Sequence, residues 1–289
     1  MSWVSIDYKK CSGCGICVQG CPRCFWMNGD KIAVEADENC CALCGHCVSL
    51  CPTGAIVHRK MDMDNCEDIR KKEIIHTDDF IQFIRERRTH RHFTKRKIPR
   101  KDLVKLIDTV RYAPTGGNDQ TVEVILLQDP DRRKKLSDLA VDHVAAAGAE
   151  FSRKLAALKA GGKGTHEEIL QLERMVKFRE FLVEAKKAGR DPVFYEAPAV
   201  AIFHSTVQTV TPKDNCVIAS TTMGLLARTM GLETTYIALF ENASKASPPI
   251  MGELRLPKGN EVFSVLVIGY PKFKYYRTVD RKPIRTRWE

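Results

Sequence analysis

Eight cysteines stand in two runs of one pattern: Cys11, Cys14, Cys17 and Cys21, then Cys41, Cys44, Cys47 and Cys51, with Pro22 and Pro52 directly after the last of each. The spacing C-x-x-C-x-x-C-x-x-x-C-P suits the ligation of cubes of four irons and four sulfides. Three thiolates from a tight loop wrap one face of a cube, and a fourth closes it. The chemistry on offer is the movement of single electrons at low potential. Zinc also takes C-x-x-C pairs, but as two separated pairs per ion, which leaves the triplet and the trailing C-P unexplained. A disulfide framework fits less well still. No charged-then-apolar leader precedes the first run, and no stretch is apolar enough to span a bilayer. The expected setting is the reducing cytoplasm, where thiols remain available for iron.

The pattern resembles that of the bacterial two-cluster ferredoxins. In those proteins the fourth cysteine of each run reaches the other cube. The resemblance therefore implies one quartet of Cys11, Cys14, Cys17 and Cys51, and another of Cys41, Cys44, Cys47 and Cys21. Gly13, Gly15 and Gly45 fall inside the loops, where the backbone must turn sharply. The two runs form an internal repeat, so a pseudo-twofold module over residues 1–60 is expected. Cys24, Cys40, Cys66 and Cys216 remain. Cys24 and Cys40 stand near the ligands in sequence, where either could be a decoy ligand or a neighbour supporting one, yet all four are read first as inert small hydrophobes or spare thiols.

The chain has 289 residues, and the part beyond the cysteine module is long enough for one sizeable core. Of the net charge of +10, residues 1–60 carry +1 and the remainder +9. The densest basic stretch is Arg85-Glu-Arg-Arg-Thr-His-Arg-His-Phe-Thr-Lys-Arg-Lys, continuing to Arg100 and Lys101. No groove-reading motif or aromatic-rich surface accompanies it, so no nucleic-acid partner is expected. A small phosphorylated ligand would need only two or three of these residues.

The elements that must position these groups are legible in outline. Residues 61–77 are charged, lack periodicity and read as a linker. A helix starts at Thr77 or Asp78, with Phe80, Ile81, Phe83 and Ile84 on one face. A second helix runs through Leu103, Leu106 and Val110 to a loop signal at Ala113-Pro-Thr-Gly-Gly-Asn118. Val122–Leu127 reads as a strand. Helices come next, from Asp131 to Leu158 with a break near Gly148, and another from His166 to Lys187 after Gly161-Gly162-Lys-Gly164. Val200–Phe203, Thr234–Leu239 and Val262–Ile268 read as strands. Between the first two of these, a helix capped by Thr211 or Asp214 stops at Gly231. The class expected is α+β, with a mixed or antiparallel sheet sandwiched by helices. Neither G-x-G-x-x-G after a strand nor a phosphate-binding G-x-x-x-x-G-K-[ST] occurs, so a dinucleotide site is not supported.

Residues 78–289 resemble the nitroreductase family of FMN enzymes. The likeness is carried by Arg87-Arg-Thr-His-Arg-His-Phe93, by Ala113-Pro-Thr-Gly-Gly-Asn-Asp-Gln120, by Gly231-Leu-Glu-Thr-Thr-Tyr-Ile237, and by Ile268-Gly-Tyr-Pro271 with Arg281-Lys-Pro283. It implies FMN, with Arg87, Arg88, Thr89 and Arg91 on the ribityl phosphate and Arg281 closing it from the carboxyl end, Lys282 nearby. Arginine suits such a dianion because its fork of donors is permanently charged. Pro114, Thr115, Gly116 and Asn118 would pass the isoalloxazine ring. Ile237 and Ala238 would lie behind its N5 and pyrimidine edge, where Ala238 and Leu239 replace the family's small polar or glycine residues. The resemblance also implies a homodimer, with the Pro114–Asn118 loop facing the partner's flavin, and a variable helical region over 131–190 on the substrate side. Phe178, Phe181, Phe194 and Tyr195 are pocket candidates, read chiefly as core.

The function expected is that of a ferredoxin-fused, FMN-dependent oxidoreductase. Electrons would pass singly from a low-potential donor such as ferredoxin or flavodoxin, through two 4Fe–4S clusters, to FMN and a small organic acceptor of nitroaromatic, enone or related type. The alternative is an electron-transfer protein serving a protein partner with no small substrate. A redox-sensing module fits less well, since a sensor needs one labile cluster. NADH is expected to be a poor direct donor. His90, His92 and His204 are candidate proton donors by chemistry, but none is assigned a catalytic role, because a lone histidine is most often structural.

Overall fold

The computed structural model describes residues 2–69, 75–161 and 164–289. They group into two compact units, Met1–His76 with Gly117–Asp119, and Thr77–Gly116 with Gln120–Glu289. The linker read over 61–77 includes residues 70–74, and the glycine-rich break includes 162 and 163; these lie outside the described residues.

In the first unit the sequence repeat becomes a structural one. Helix α1 (Ile16–Gly20) contains Cys17, the third cysteine of the first run, and α2 (His46–Leu50) contains Cys47, the third of the second, each entered through a glycine with φ 71° and ψ 3°, Gly15 and Gly45. A side chain would be strained there, and this explains a glycine at the same step of both runs. Two antiparallel ribbons complete the unit: β1 (Val4–Ile6) with β4 (Ile56–His58), and β2 (Phe25–Asn28) with β3 (Lys31–Val34). Val4, Phe25, Ile32 and Ile56 are buried around Cys17, Cys24 and Cys47.

The second unit is built on one sheet in the order β5 (Glu123–Leu127), β6 (Ala199–Thr206), β8 (Asn260–Gly269), β7 (Glu233–Tyr236), every pairing antiparallel. Strand periodicity explains the two-sided core. Val200 and Ile202 of β6, with Val265 and Val267 of β8, face one cluster that includes Leu136, Leu182 and Phe240. Ala199, Ala201 and Phe203, with Leu266 and Ile268, face the other, which includes Leu103, Leu106 and Met223. Helices α5 (Pro130–Gly161), α6 (His166–Lys187), α8 (Ala238–Ala246) and α9 (Pro248–Leu254) serve the first face. Helices α4 (Arg100–Val110) and α7 (Pro212–Thr229) serve the second. Helix α3 (Thr77–Glu86) precedes them.

Two expectations are corrected. The break near Gly148 is not made: α5 runs through it, because one glycine costs a helix only about 1 kcal/mol and packing against α6 carries the element on. The strand expected over Thr234–Leu239 stops at Tyr236, and Ile237 becomes the N-cap of α8. A β-favouring Thr-Thr-Tyr-Ile run leads there into a helical spacing in which Phe240 and Ala243 face the core. Thr211 occupies the N-cap position of α7 in a left-handed conformation (φ 50°) without a side-chain cap bond, and Pro212 at the first helical positions sets the entry.

Candidate functional site

The cysteines of the two runs are interleaved in space. Cys11, Cys14 and Cys17 line one small apolar pocket together with Cys51, and Ile6, Ile32 and Ile56 close its walls. On the other side, the thiols of Cys21, Cys41 and Cys44 all bear electrostatically on Cys47. This is the crossed arrangement that the resemblance implied. Burial, joined by the neighbouring thiols and opposed by a lowering backbone N–H, pushes the Cys47 thiol up to about 11. Four thiolates crowded into an apolar wall repel one another, and iron is the charge that would relieve them. Cys51 lies below its ordinary value: burial raises it, but N–H donors outweigh that, among them the Ala55 amide at 3.2 Å from Sγ. Among the described residues no three His, Cys, Asp or Glu side chains converge as around a single metal ion. The case for clusters therefore rests on the shared pocket and the repeated spacing. Sequence reasoning missed His58, which is buried with Nε2 3.4 Å from the Cys41 sulfur. Its position six residues past Pro52, on a short strand, gave no signal.

In the second unit three of the segments singled out in the sequence meet. Residues 88–94 run in extended form between β7 and the chain leaving β8. The His90 amide donates to the Thr234 carbonyl at 3.4 Å, and the Thr235 hydroxyl donates to the His90 carbonyl. The Thr94 amide donates to the Tyr270 carbonyl, and the Lys272 amide to the His92 carbonyl, each at 2.9 Å. Phe93 and Pro271 form an antiparallel bridge. Beside this strip lies a cavity of about 540 Å³ lined by Gln82, Glu86, His90, Arg228, Glu233 and the segment 271–278.

Charge is concentrated there. Arg228 leaves the last turn of α7, the chain reverses at Gly231 (φ 73°), and Glu233 returns beneath it, so the guanidinium donates to Glu233 and, at 2.9 Å, to Glu86. Burial raises the Glu233 carboxyl, against the opposing charges of Arg228 and Arg87. The buried guanidinium nitrogens Arg88 Nη1 and Arg228 Nε have no hydrogen-bond partner among the described residues, and buried His90 Nε2 has only the Glu233 carboxylate, at 3.6 Å. Buried polar groups left unpaired are costly, and such a set calls for an acceptor, as an anion would be. Arg88 also lies over the Tyr275 ring at 6.0 Å. Arg228 carried no sequence signal, because a charge at a helix end reads as solvated, and Glu233 was given no role of its own within the segment Gly231–Ile237.

His90 supplies a pH test. Burial, then the charges of Arg228 and Arg88, push its ring down to about 4 from an ordinary 6.5. A lowered folded value means that the unfolded chain binds the proton more readily. His90 therefore contributes stability that is complete above pH 6.5 and is lost as pH falls toward about 4. The thermal midpoint of the native protein should fall across that window more steeply than that of His90→Gln. Parallel curves would remove His90 from the pH response.

The remaining expected residues lie elsewhere, all in the second unit except Asn118, which groups with the first. Arg87, Thr89 and Arg91 are exposed, and Arg91 lies over the Tyr195 ring at 6.0 Å. Arg281 is exposed in the chain after β8 and lines no part of the 540 Å³ cavity. Pro114, Thr115, Gly116 and Asn118 form a separate loop. The Gly116 amide donates to Oδ1 of buried Asn215 at 2.9 Å, and Thr115 Oγ1 accepts from the Gln120 amide at 3.1 Å. A Cβ on Gly116 would stand 3.0 Å from the Val210 carbonyl oxygen and 2.9 Å from Thr211 Oγ1. Gly116→Ala should cost about 1–3 kcal/mol and lift the loop from Asn215. An unchanged melting midpoint would show that the loop yields freely. Ile237 is buried and its amide already donates to Val265 at 2.9 Å, whereas Ala238 is exposed.

Phe194 is core, 4.9 Å from Phe240 between ring centres, whereas Phe178 and Phe181 are exposed on α6 rather than core. His92 is exposed against Phe273, and buried His204 holds Asn260 at 3.0 Å, a structural role. Cys216 is buried, which pushes its thiol up to about 12, and Cys66 is exposed.

The fold and these segments define an oxidoreductase scaffold, and comparison with known proteins gives the family. The nitroreductase family model matches residues 84–270, and a 4Fe–4S binding domain model matches residues 4–23. The chain belongs to the nitroreductase family and carries an N-terminal 4Fe–4S binding motif. Over 208 residues, 70% of this chain and 91% of the relative, it is 24% identical to a provisionally named NADH dehydrogenase/NAD(P)H nitroreductase of Archaeoglobus fulgidus. A 60-residue stretch is 37% identical to the NAD(P)H FMN reductase of Bacillus subtilis, spanning 21% of this chain and only 24% of that protein. The fold is shared with an FMN-bound nitroreductase of Bacteroides fragilis at a TM-score of 0.54 and 18% identity, over 73% of this chain and 99% of that one. No helix among the described residues is long and apolar enough to cross a membrane.

Proposed function

We propose that the chain is an FMN-dependent reductase supplied with single electrons by its own N-terminal unit, acting on a small organic acceptor. In this reading residues 1–60 are a two-cluster ferredoxin domain, 61–77 a linker, and 78–289 the flavin domain, with 131–190 on the substrate side. The observation that carries it is the pocket that Cys11, Cys14 and Cys17 share with Cys51, in a chain whose larger part belongs to the nitroreductase family.

When bound, the clusters exchange one electron at a time and the flavin one or two, which lets a one-electron supply serve a two-electron reduction. The chain's own residues hold and tune these groups. The crossed cysteines would hold each cluster from both halves of the repeat, and the Ala55 amide, which donates to the Cys51 sulfur, would stabilise negative charge there. Arg88, with its unpaired buried Nη1, fits the phosphate end of the flavin, and Arg87, Thr89 and Arg91 flank it in sequence. The Pro114–Asn118 loop and Ala238, in the first turn of α8 where amides lack intrahelical partners, are assigned to the ring. Arg281 is assigned to the phosphate from the C-terminal segment. A homodimer, a low-potential protein donor and a cytoplasmic setting complete the proposal.

Iron, sulfide and flavin analysis of protein purified without oxygen tests the cofactor content. A panel of nitro, enone and halogenated aromatic compounds, supplied with reduced ferredoxin, tests the acceptor. Turnover with a small acceptor is the expected result. Electron delivery to a protein alone, with no compound in the panel consumed, would favour the electron-transfer alternative. NADH mixed with the protein is expected to reduce the flavin slowly, and rapid stoichiometric oxidation of NADH would overturn that expectation.

A further inference from the structure

Two cysteines outside the crossed quartets meet in the N-terminal unit. Cys24 stands at the open end of the β2–β3 hairpin, where its carbonyl accepts from the Glu35 amide at 2.9 Å. The chain then turns at Asp37, whose carbonyl accepts from the amides of Cys40 and Cys41 at 3.3 and 2.9 Å, and whose carboxylate accepts from the Asn39 amide at 2.9 Å. This turn swings Cys40 back over the hairpin end. Its thiol donates to the Glu35 carbonyl at 3.2 Å, and its sulfur lies 2.9 Å from that of Cys24. A disulfide requires about 2.05 Å, so a small side-chain rotation separates this contact from a bond. The Cys24 side chain is buried and that of Cys40 half-buried, so Cys40 is the one a small reagent can reach.

We propose that Cys24 and Cys40 form a dithiol redox centre, distinct from the eight cluster cysteines, that closes to a disulfide with a low-molecular-weight disulfide and reopens with a thiol reductant. The Cys40 sulfur attacks the reagent's S–S bond, forms a mixed disulfide, and releases one small thiol that takes up the Cys40 proton. The Cys24 sulfur then attacks the Cys40 sulfur and expels the second small thiol, which takes up the Cys24 proton. Two protein thiols are oxidised and one external disulfide is reduced. The new bond ties the open end of the hairpin to the residue that precedes Cys41, so the second run is held in place when oxidant arrives.

The test uses the full-length protein purified without oxygen, treated anaerobically with glutathione disulfide, alkylated in denaturant and mapped by mass spectrometry. Two of the twelve cysteines should escape alkylation while iron and sulfide per chain stay constant. Fragmentation should place the link between Cys24 and Cys40, dithiothreitol should restore both thiols, and Cys24→Ser and Cys40→Ser should each abolish the link. Thiol loss that tracks iron release, a link to Cys41 or another of the eight, or full alkylation with iron retained would each overturn the proposal. Iron and sulfide in the untreated sample report separately on the cluster assignment.

Discussion

Cys14→Ala is expected to stop reduction of the flavin by a low-potential protein donor while leaving FMN bound. Cys14 belongs to the quartet around the pocket shared with Cys51, and alanine offers nothing in place of a thiolate. Loss of groups that merely support a metal ligand typically costs 10–100-fold, so loss of a ligand should lower the donor-driven rate by about 100-fold or more. Iron should fall from about eight to about four atoms per chain, since the second quartet is intact. Flavin content should hold, because the arginine strip is fastened to β7 and to the chain after β8, all within the second unit. The measurement is stopped-flow flavin reduction by reduced ferredoxin, with iron and flavin determined on the same sample. A native rate in the variant would mean that electrons reach the flavin without this cluster.

Arg88→Ala carries the second large effect. Its guanidinium is partly buried with Nη1 unpaired, the condition expected of a donor waiting for a charged acceptor. A hydrogen bond to a charged group contributes about 1.5–3 kcal/mol, so the FMN dissociation constant should rise on the order of 10–100-fold. Arg87→Ala with Arg281→Ala is the comparison, since both side chains are exposed in the structure. Equal flavin affinity in Arg88→Ala and the native protein would move the phosphate elsewhere. Because Arg88 also lies against Tyr275, the melting midpoint of the variant separates lost affinity from lost packing.

Much of this was legible in the chain, for reasons that are local. The strand runs Val200–Phe203 and Val262–Ile268 are apolar without alternation, and both prove to be central strands buried on two faces. Helix α6 occupies His166–Lys187 as its pattern predicts, opened by a capping box between Thr165 and Glu168. Gly148 and the 234–239 run misled because a single glycine and a β-branched run are weak local preferences that packing overrides. Ile237 shows the consequence for a site: the resemblance implied a place behind the flavin N5, and the fold commits its amide to Val265 and its side chain to the core.

By itself the sequence determined the number and spacing of the candidate sulfur ligands, the repeat that arranges them, and the arginine-rich and glycine-rich segments that carry the family likeness, because ligand spacing and turn chemistry are properties of a few adjacent residues. Tertiary structure alone decided that Cys24 meets Cys40, and that Arg228 and Glu233 stand beside His90. Those are contacts between distant parts of the chain, set by how sheet, hairpin and helix ends pack, and no short stretch of residues encodes them.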